Sequence, residues 1–367
     1  MMDGSNGSAD ATRSLHELFF RLWRFGSNAL VGWTATPVGI EILTIPKIRL
    51  FAAQQPHRRV FSGDRLMGAQ TFCDVAESLG LQPIELRLDY RIGEGAGEIP
   101  PASVERVFSS FAITRTESRA LFLLDIVGFS KFKPEEQASQ LATMEFALNI
   151  AAETARGHGV PIDMARSTTG DGYYVWNKHK GSDADVHLGV GLVLYLAFSA
   201  ALARVVQMQS AIPTIRACLG VGSHYSYHHP EPGGPTGVEY IVGDVTISAA
   251  RLIGGARPGQ ILIGDFHRIK DDSDRQIDVP AFLNEVGERL ARIGNVAVFG
   301  SRLARFSLYP TGPRQTDGGY RAQRLRLVDK HGFEHFFFNA KVNVFPETGE
   351  PYYCGLRHED LLTAIDK

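Results

Sequence analysis

The apolar run Ala120-Leu121-Phe122-Leu123-Leu124 ends on Asp125, and no other stretch of the chain restricts the fold as tightly. A short unbroken run of this kind, closed by a carboxylate, reads as a buried strand. Its last residue is then an acid at the edge of an apolar interior, which is costly unless a cation pairs with it. The flanking sequence supplies elements to cover such a strand. Lys133-Pro134-Glu135-Glu136 opens a helix, with proline in the first turn and acids at the positive end of the dipole. Leu141, Met144, Leu148 and Ala151 give it one apolar face, and Gly157 to Gly159 end it. Residues 162–176 read as two short strands around Gly170-Asp171-Gly172, a hairpin-turn composition.

A long apolar helix is expected next, from about Asp185 to Gln207. Strands at 215–224 and 238–242 flank a turn-rich stretch at 229–235, followed by a helix at 245–254 and a strand at 259–263. Residues 266–320 read as a loop-rich insertion, with strands at 322–329 and 333–345 beyond it. This order implies an α+β fold, an antiparallel-rich sheet with helices on one face. We divide the chain into a flexible tail (1–14), an N-terminal extension of unassigned role (15–116), a main domain (117–345) and a C-terminal tail (346–367). The aromatic stretch 15–33 is expected to be an amphipathic helix packing on its own protein.

A net charge of −2 leaves no global basic field for nucleic acid or anionic lipid, so any anion must be held locally. Cys73, Cys218 and Cys354 are odd in number and lack zinc or redox spacing, which suits buried free thiols in a reducing cytoplasm. The apolar stretch from Leu188 to Ala203 is shorter than the ~20 residues of a spanning helix and reads as a core or dimer-facing helix. His224, His228 and His229 beside the Pro/Gly turn read as a hairpin surface. His331 and His335 read as structural or pocket-lining, and Trp176 as core.

Two carboxylates stand out because each closes an apolar strand beside glycine: Asp125 in Leu124-Asp125-Ile126-Val127-Gly128-Phe129-Ser130, and Asp171 in Thr168-Thr169-Gly170-Asp171-Gly172. If the two converge they repel, and a pair of divalent metal ions ~3.5–4 Å apart is the usual remedy. The amides after Asp125, at Phe129 and Ser130, then suit the oxygens of a polyphosphate. The alternative is that each aspartate caps a turn.

These two motifs resemble the metal motifs of class III adenylate and guanylate cyclases. Gly243-Asp244-Val245-Thr246-Ile247-Ser248-Ala249-Ala250-Arg251-Leu252 is similar to a third segment of that family, and Ile215 to Gly222 falls where the family has its central strand. The resemblance implies a ferredoxin-like cyclase fold and a homodimer with shared active sites. It also implies a nucleoside triphosphate substrate and two divalent ions, Mn²⁺ or Mg²⁺, on Asp125, Asp171 and the Ile126 carbonyl. Arg251 matches the arginine acting on the α-phosphate, and Lys330 is the nearest match to a late-strand lysine. The base-reading positions depart from the family, because Ser167 and Tyr240 stand where purine cyclases carry their specificity pair, and Ile247 replaces an asparagine. That loss resembles bacterial pyrimidine cyclases of antiphage signalling, which implies UTP as substrate and a downstream cyclic-nucleotide-binding effector, with no nucleic-acid partner and no membrane insertion. An adenylate cyclase with a rearranged pocket and an inert nucleotide-binding module remain open beside it.

Overall fold

The computed structural model describes residues 4–50, 61–95, 97–206, 209–231, 234–316 and 318–362. The chain forms two compact units, Met1–Thr116 with Tyr225–Val242, and Glu117–His224 with Gly243–Lys367. The hairpin at 225–242, which the sequence places inside the main domain, thus groups with the N-terminal unit.

In the first unit, α1 spans Gly4–Trp23, so the expected flexible tail is helix from residue 4 onward. Ala11, Leu15, Phe19 and Trp23 recur every four residues and are buried. Burial of that stripe holds a helix whose first turns are rich in weak helix formers. The helix packs on its own protein, as the sequence implies, against Val104, Val107 and Phe108 of α4 (Pro101–Ser109). Strands β1 (Asn28–Thr36), β2 (Gly39–Pro46) and β3 (Ile84–Arg87) make a three-stranded antiparallel sheet. Helices α2 (Lys47–Leu50) and α3 (Ala69–Leu79) complete it, and Leu50, Phe72, Ala76 and Leu79 join a second small core.

The second unit is built on β4 (Ile113–Ile126), α5 (Pro134–Gly157), β5 (Met164–Thr168), β6 (Gly172–Asn177) and α6 (Ser182–Val205). Strand β7 (Ile215–Glu231) runs out into the hairpin with β8 (Gly234–Val242); Pro232 and Gly233 of its turn lie outside the described residues. Then come α7 (Asp244–Gly254), β9 (Ile261–Gly264), β10 (Arg268–Ile269), β11 (Gln276–Ile277), α8 (Val279–Ile293), β12 (Val296–Val298) and β13 (Ser301–Pro310). The last elements are β14 (Arg324–Val328), β15 (Glu334–Pro346), β16 (Tyr352–Cys354) and α9 (His358–Leu362).

The main strand order is β12-β13-β15-β9-β7-β4-β6-β5, with β7 and β9 parallel and the β12–β13, β13–β15, β15–β9, β4–β6 and β5–β6 pairs antiparallel. This is the expected α+β class with an antiparallel-rich sheet.

Strand alternation decides where a site can lie. Ala120, Phe122, Leu124 and Ile126 share one core with Met144, Leu148 and Ala151 of α5, most of α6, Val286 of α8, and Ala217, Leu219, Ile261 and Ile263. With a side-chain period of two, Leu123, Asp125, Arg216 and Cys218 point to the opposite face. Helix α7 lies on that opposite face, where the Tyr174 hydroxyl donates to the Thr246 carbonyl at 3.1 Å. Helix α6 is buried on nearly every side, which explains its unbroken apolar sequence. It is long and apolar enough to cross a membrane by composition, yet here it is packed into the core.

Four further expectations give way. The loop-rich insertion contains α8, whose Val279, Phe282, Leu283, Val286, Leu290 and Ile293 form one buried stripe, with the Asp278 carboxylate capping the Ala281 amide at 2.9 Å. The C-terminal tail is docked: β16 pairs with β15, Arg204 lies 3.9 Å over the Tyr352 ring, and buried Asn339 donates to the Leu356 carbonyl at 2.8 Å. His224 is buried, so it does not belong to a hairpin surface, and Cys73 is exposed, unlike Cys218. Trp176 is core, as expected.

Candidate active site

Asp125, the last residue but one of β4, lies opposite Gly172 of β6. The Ile126 amide donates to the Asp171 carbonyl at 2.9 Å, which ties the two aspartates to neighbouring backbone. This approach requires glycine at 172, because a Cβ there would stand 1.9 Å from the Leu124 carbonyl oxygen. Gly170 turns the hairpin at a φ of +98°, and the Thr168 hydroxyl accepts its amide at 3.0 Å. On Asp171, Oδ1 takes a 3.3 Å bond from the Thr169 hydroxyl.

Asp125 is 13% exposed, and burial raises its carboxyl above the ordinary range. Arg216 pulls it back down, and the neighbouring Asp171 charge pushes it up again. Arg216 on β7 donates from Nε at 2.9 Å and from Nη2 at 2.5 Å, both to Asp125 Oδ2. Its Nη1 reaches the Ala256 carbonyl at 3.4 Å. Sequence reasoning missed Arg216, although a lone charge between Ile215 and Ala217 in an otherwise apolar strand marks it.

Past Asp125 the chain turns at Gly128, φ +67°, into a short 3₁₀ turn closed by Lys131 N to Gly128 O at 2.9 Å. Ser130 is exposed there, whereas the Phe129 ring packs against the core and its carbonyl accepts from Gln137 at 3.1 Å. Any contact of Phe129 with a ligand is therefore through its backbone. Ser167 pairs with Tyr174, so it shares the sheet face of Asp125. Its neighbour Arg166 points the other way, to Glu145 of α5 at 2.8 Å. Tyr240 belongs to the first unit, where its exposed ring stacks on Tyr227 with centroids 5.3 Å apart.

Arg251 belongs to a second group. Its Nε lies 3.4 Å from Asp329 Oδ2, in the turn between β14 and β15. Burial raises the Asp329 carboxyl, but the His335 ring at 3.2 Å, the amides of His331 and Phe333, and the Arg251 charge outweigh it and hold it at about 2. Lys330 follows in the same turn and is exposed. The fold thus brings Asp125, Ile126 and Asp171 together at one strand end, and Arg251 and Lys330 together around Asp329. Between α7, β7 and β9 lies a cavity of about 130 Å³ lined by Cys218, Gly220, Gly222, Asp244, Ser248 and Asp265. Ligand sites usually measure about 300–1,000 Å³, so this cavity alone does not enclose a nucleotide.

The donor set suits a hard divalent cation such as Mg²⁺ or Mn²⁺: two carboxylates and a backbone carbonyl, with one carboxylate strained by burial and by its acidic neighbour. Arg216 supplies the balancing positive charge in this structure. Among the described residues no three His, Cys, Asp or Glu side chains cluster.

Solved structures to which this chain shows a distant likeness include cyclase catalytic domains. A guanylate cyclase domain from Catenaria anguillulae, determined with GTP, is 14% identical at a TM-score of 0.36, over 62% of this chain and 97% of that one. A dimeric guanylyl cyclase domain from the aquatic fungus Blastocladiella emersonii gives the same four values. An adenylyl cyclase from P. aeruginosa is 15% identical at a TM-score of 0.35, over 62% and 95%. No protein-family model matches the sequence, and no curated protein matches it.

Proposed function

We propose that the chain is a nucleotidyl cyclase, converting a nucleoside triphosphate to its 3′,5′-cyclic monophosphate and pyrophosphate. The observation that carries this reading is the nearness of Asp125 and Asp171 at one end of the β4–β6 pair, where the Ile126 amide donates to the Asp171 carbonyl at 2.9 Å and Asp125 is raised by burial and by its neighbour. Asp125, Asp171 and the Ile126 carbonyl would hold divalent ions, which lower the pKa of a ribose hydroxyl and neutralise triphosphate oxygens. The 3′-oxygen bonds to the α-phosphorus as the bond to the β-phosphate oxygen breaks, and the hydroxyl proton is lost. The backbone around Phe129 and Ser130 receives phosphate oxygens, while Gly172 lets β6 close onto β4 where the two aspartates meet. Arg251, oriented by Asp329, offsets charge developing on the α-phosphate, with Lys330 beside it. By resemblance to the cyclase family, the site is shared across a homodimer, each copy supplying part of it.

UTP is the favoured substrate. Ser167, on the face of Asp125, can donate and accept, and by sequence position Tyr240 stands where purine cyclases carry the other half of their specificity pair. A cyclic pyrimidine product then suits signalling to a nucleotide-binding effector in antiviral defence, within the cytoplasm. A second reading, an inert nucleotide-binding module, is favoured by one observation: Arg216 and Arg251 are both already paired with aspartates.

The test is chromatography of products from ATP, GTP, UTP and CTP with Mn²⁺, beside the Asp125→Ala protein. Cyclic UMP, abolished in the variant, is expected. Cyclic AMP alone retains the mechanism and removes the reading of Ser167 and Tyr240. No cyclic product from any triphosphate leaves the inert module.

A further inference from the structure

A carboxylate intended for a metal ion is, in this structure, already half-neutralised by a side chain. Arg216 places both Nε and Nη2 on the same oxygen, Asp125 Oδ2, and its third nitrogen rests on the Ala256 carbonyl at a long 3.4 Å. Arg216 is 24% exposed and Asp125 13%, so the pair is shielded from water. An arginine also keeps its charge at every accessible pH, so the contact cannot be relaxed by deprotonation. The other charge acting on Asp125 is Asp171, which repels it. A divalent ion taking Asp125 Oδ2 therefore competes with the guanidinium for that oxygen.

We propose that Arg216 is a resident counter-ion that must leave Asp125 before a divalent ion can bind, so that the chain alone holds metal weakly. This rests on the aspartate pair being the metal site. The guanidinium offsets the repulsion between the carboxylates in the empty protein, and metal entry requires its side chain to release Asp125. A metal ion arriving with an anion would be favoured over a metal ion alone, because the released guanidinium gains a partner.

The test is Mn²⁺ binding to the full chain without nucleotide, read from the loss of the free Mn²⁺ paramagnetic resonance signal. Wild type, Arg216→Gln, Arg216→Lys and Asp125→Ala are compared, and circular dichroism verifies that each is folded. We expect Arg216→Gln to bind Mn²⁺ on the order of tenfold more tightly than wild type, an energy of about 1.4 kcal/mol. Arg216→Lys, which retains charge but loses the fork, should fall between them and carries the test if Arg216→Gln does not fold. Asp125→Ala should bind least. Equal or weaker binding by both Arg216 variants, with Asp125→Ala still impaired, overturns the competition and leaves the metal site standing. Binding unaffected by any substitution, Asp125→Ala included, removes the metal site itself and the inference with it.

Discussion

Gly172→Ala puts the site's construction to a direct test. The added Cβ would stand 1.9 Å from the Leu124 carbonyl oxygen, 2.9 Å from its carbon and 3.1 Å from the Asp125 Cα. All three atoms are backbone, so no side chain can swing aside, and β4 and β6 must separate where Asp125 and Asp171 are joined. Overpacking of this kind costs about 1–3 kcal/mol, and a backbone clash belongs at the upper end. For a unit of this size each kcal/mol moves the midpoint by about 2–4 °C, so a fall of roughly 4–12 °C is expected for the unit containing the sheet. Gly287→Ala is the control. It lies in α8 with nothing within 4 Å of the added atom, and helix propensity should make it stabilising by about 1 kcal/mol. Differential scanning calorimetry gives the midpoints, and pyrophosphate release gives the activity. If Gly172→Ala melts with wild type and turns over normally, the close approach of the strands at Asp125 is not what builds the site.

Three other outcomes follow from contacts in the larger unit. Burial above all holds the Asp185 carboxyl at about 7, against Arg268, the Ala120 amide and Arg119, so between roughly pH 4 and 7 the native state binds the extra proton and stability falls as pH rises. Burial, with Arg119 and Lys180, holds His224 at about 4, so between about pH 4 and 6.5 the unfolded chain binds the extra proton and stability rises with pH. The two slopes oppose each other; urea midpoints should therefore rise with pH in Asp185→Asn, fall in His224→Gln, and change little in wild type over that range. Asp329→Asn keeps an acceptor for the His331 and Phe333 amides but removes the charge that orients Arg251; kcat should drop about tenfold to a hundredfold with the melting point nearly unchanged. A stop codon after Pro346 removes the Leu356 carbonyl from Asn339, the Glu350 and Pro351 carbonyls from Arg204, and the buried Tyr352, and calorimetry should show a loss of about 2–4 kcal/mol.

The parts of the site that lie along one stretch of chain were legible before the structure. The strand ending on Asp125, the glycines around Asp171 and the acidic start of α5 all announce themselves through local patterning. What stayed hidden depends on register between distant strands. Arg216 meets Asp125 across 91 residues of sequence, and nothing local says which carboxylate a strand arginine will find. Asp329 was passed over for the neighbouring Lys330, because its role comes from two backbone amides folding back onto it. His224 was read with its neighbours in a Pro/Gly-rich stretch, although its position on β7 turns it inward. The α8 stripe at 279, 282, 283, 286, 290 and 293 was present in the sequence, and the polar residues before it obscured the pattern.

The burial of α6 has a consequence for how the chain is made. Its 24 residues have a hydropathy peak of 2.0, and 78% of that apolar window is covered in the finished protein. Part of that cover comes from α5, which leaves the ribosome earlier, but α8 and β15 come from residues 279–293 and 334–346, synthesised long afterwards. For that interval the growing polypeptide presents a segment resembling a membrane anchor to any factor that surveys nascent chains. A fragment ending before residue 279 should therefore be captured by chaperones or deposited at a bilayer, and the timing of translation through the second half of the message becomes part of how this helix gains its cover.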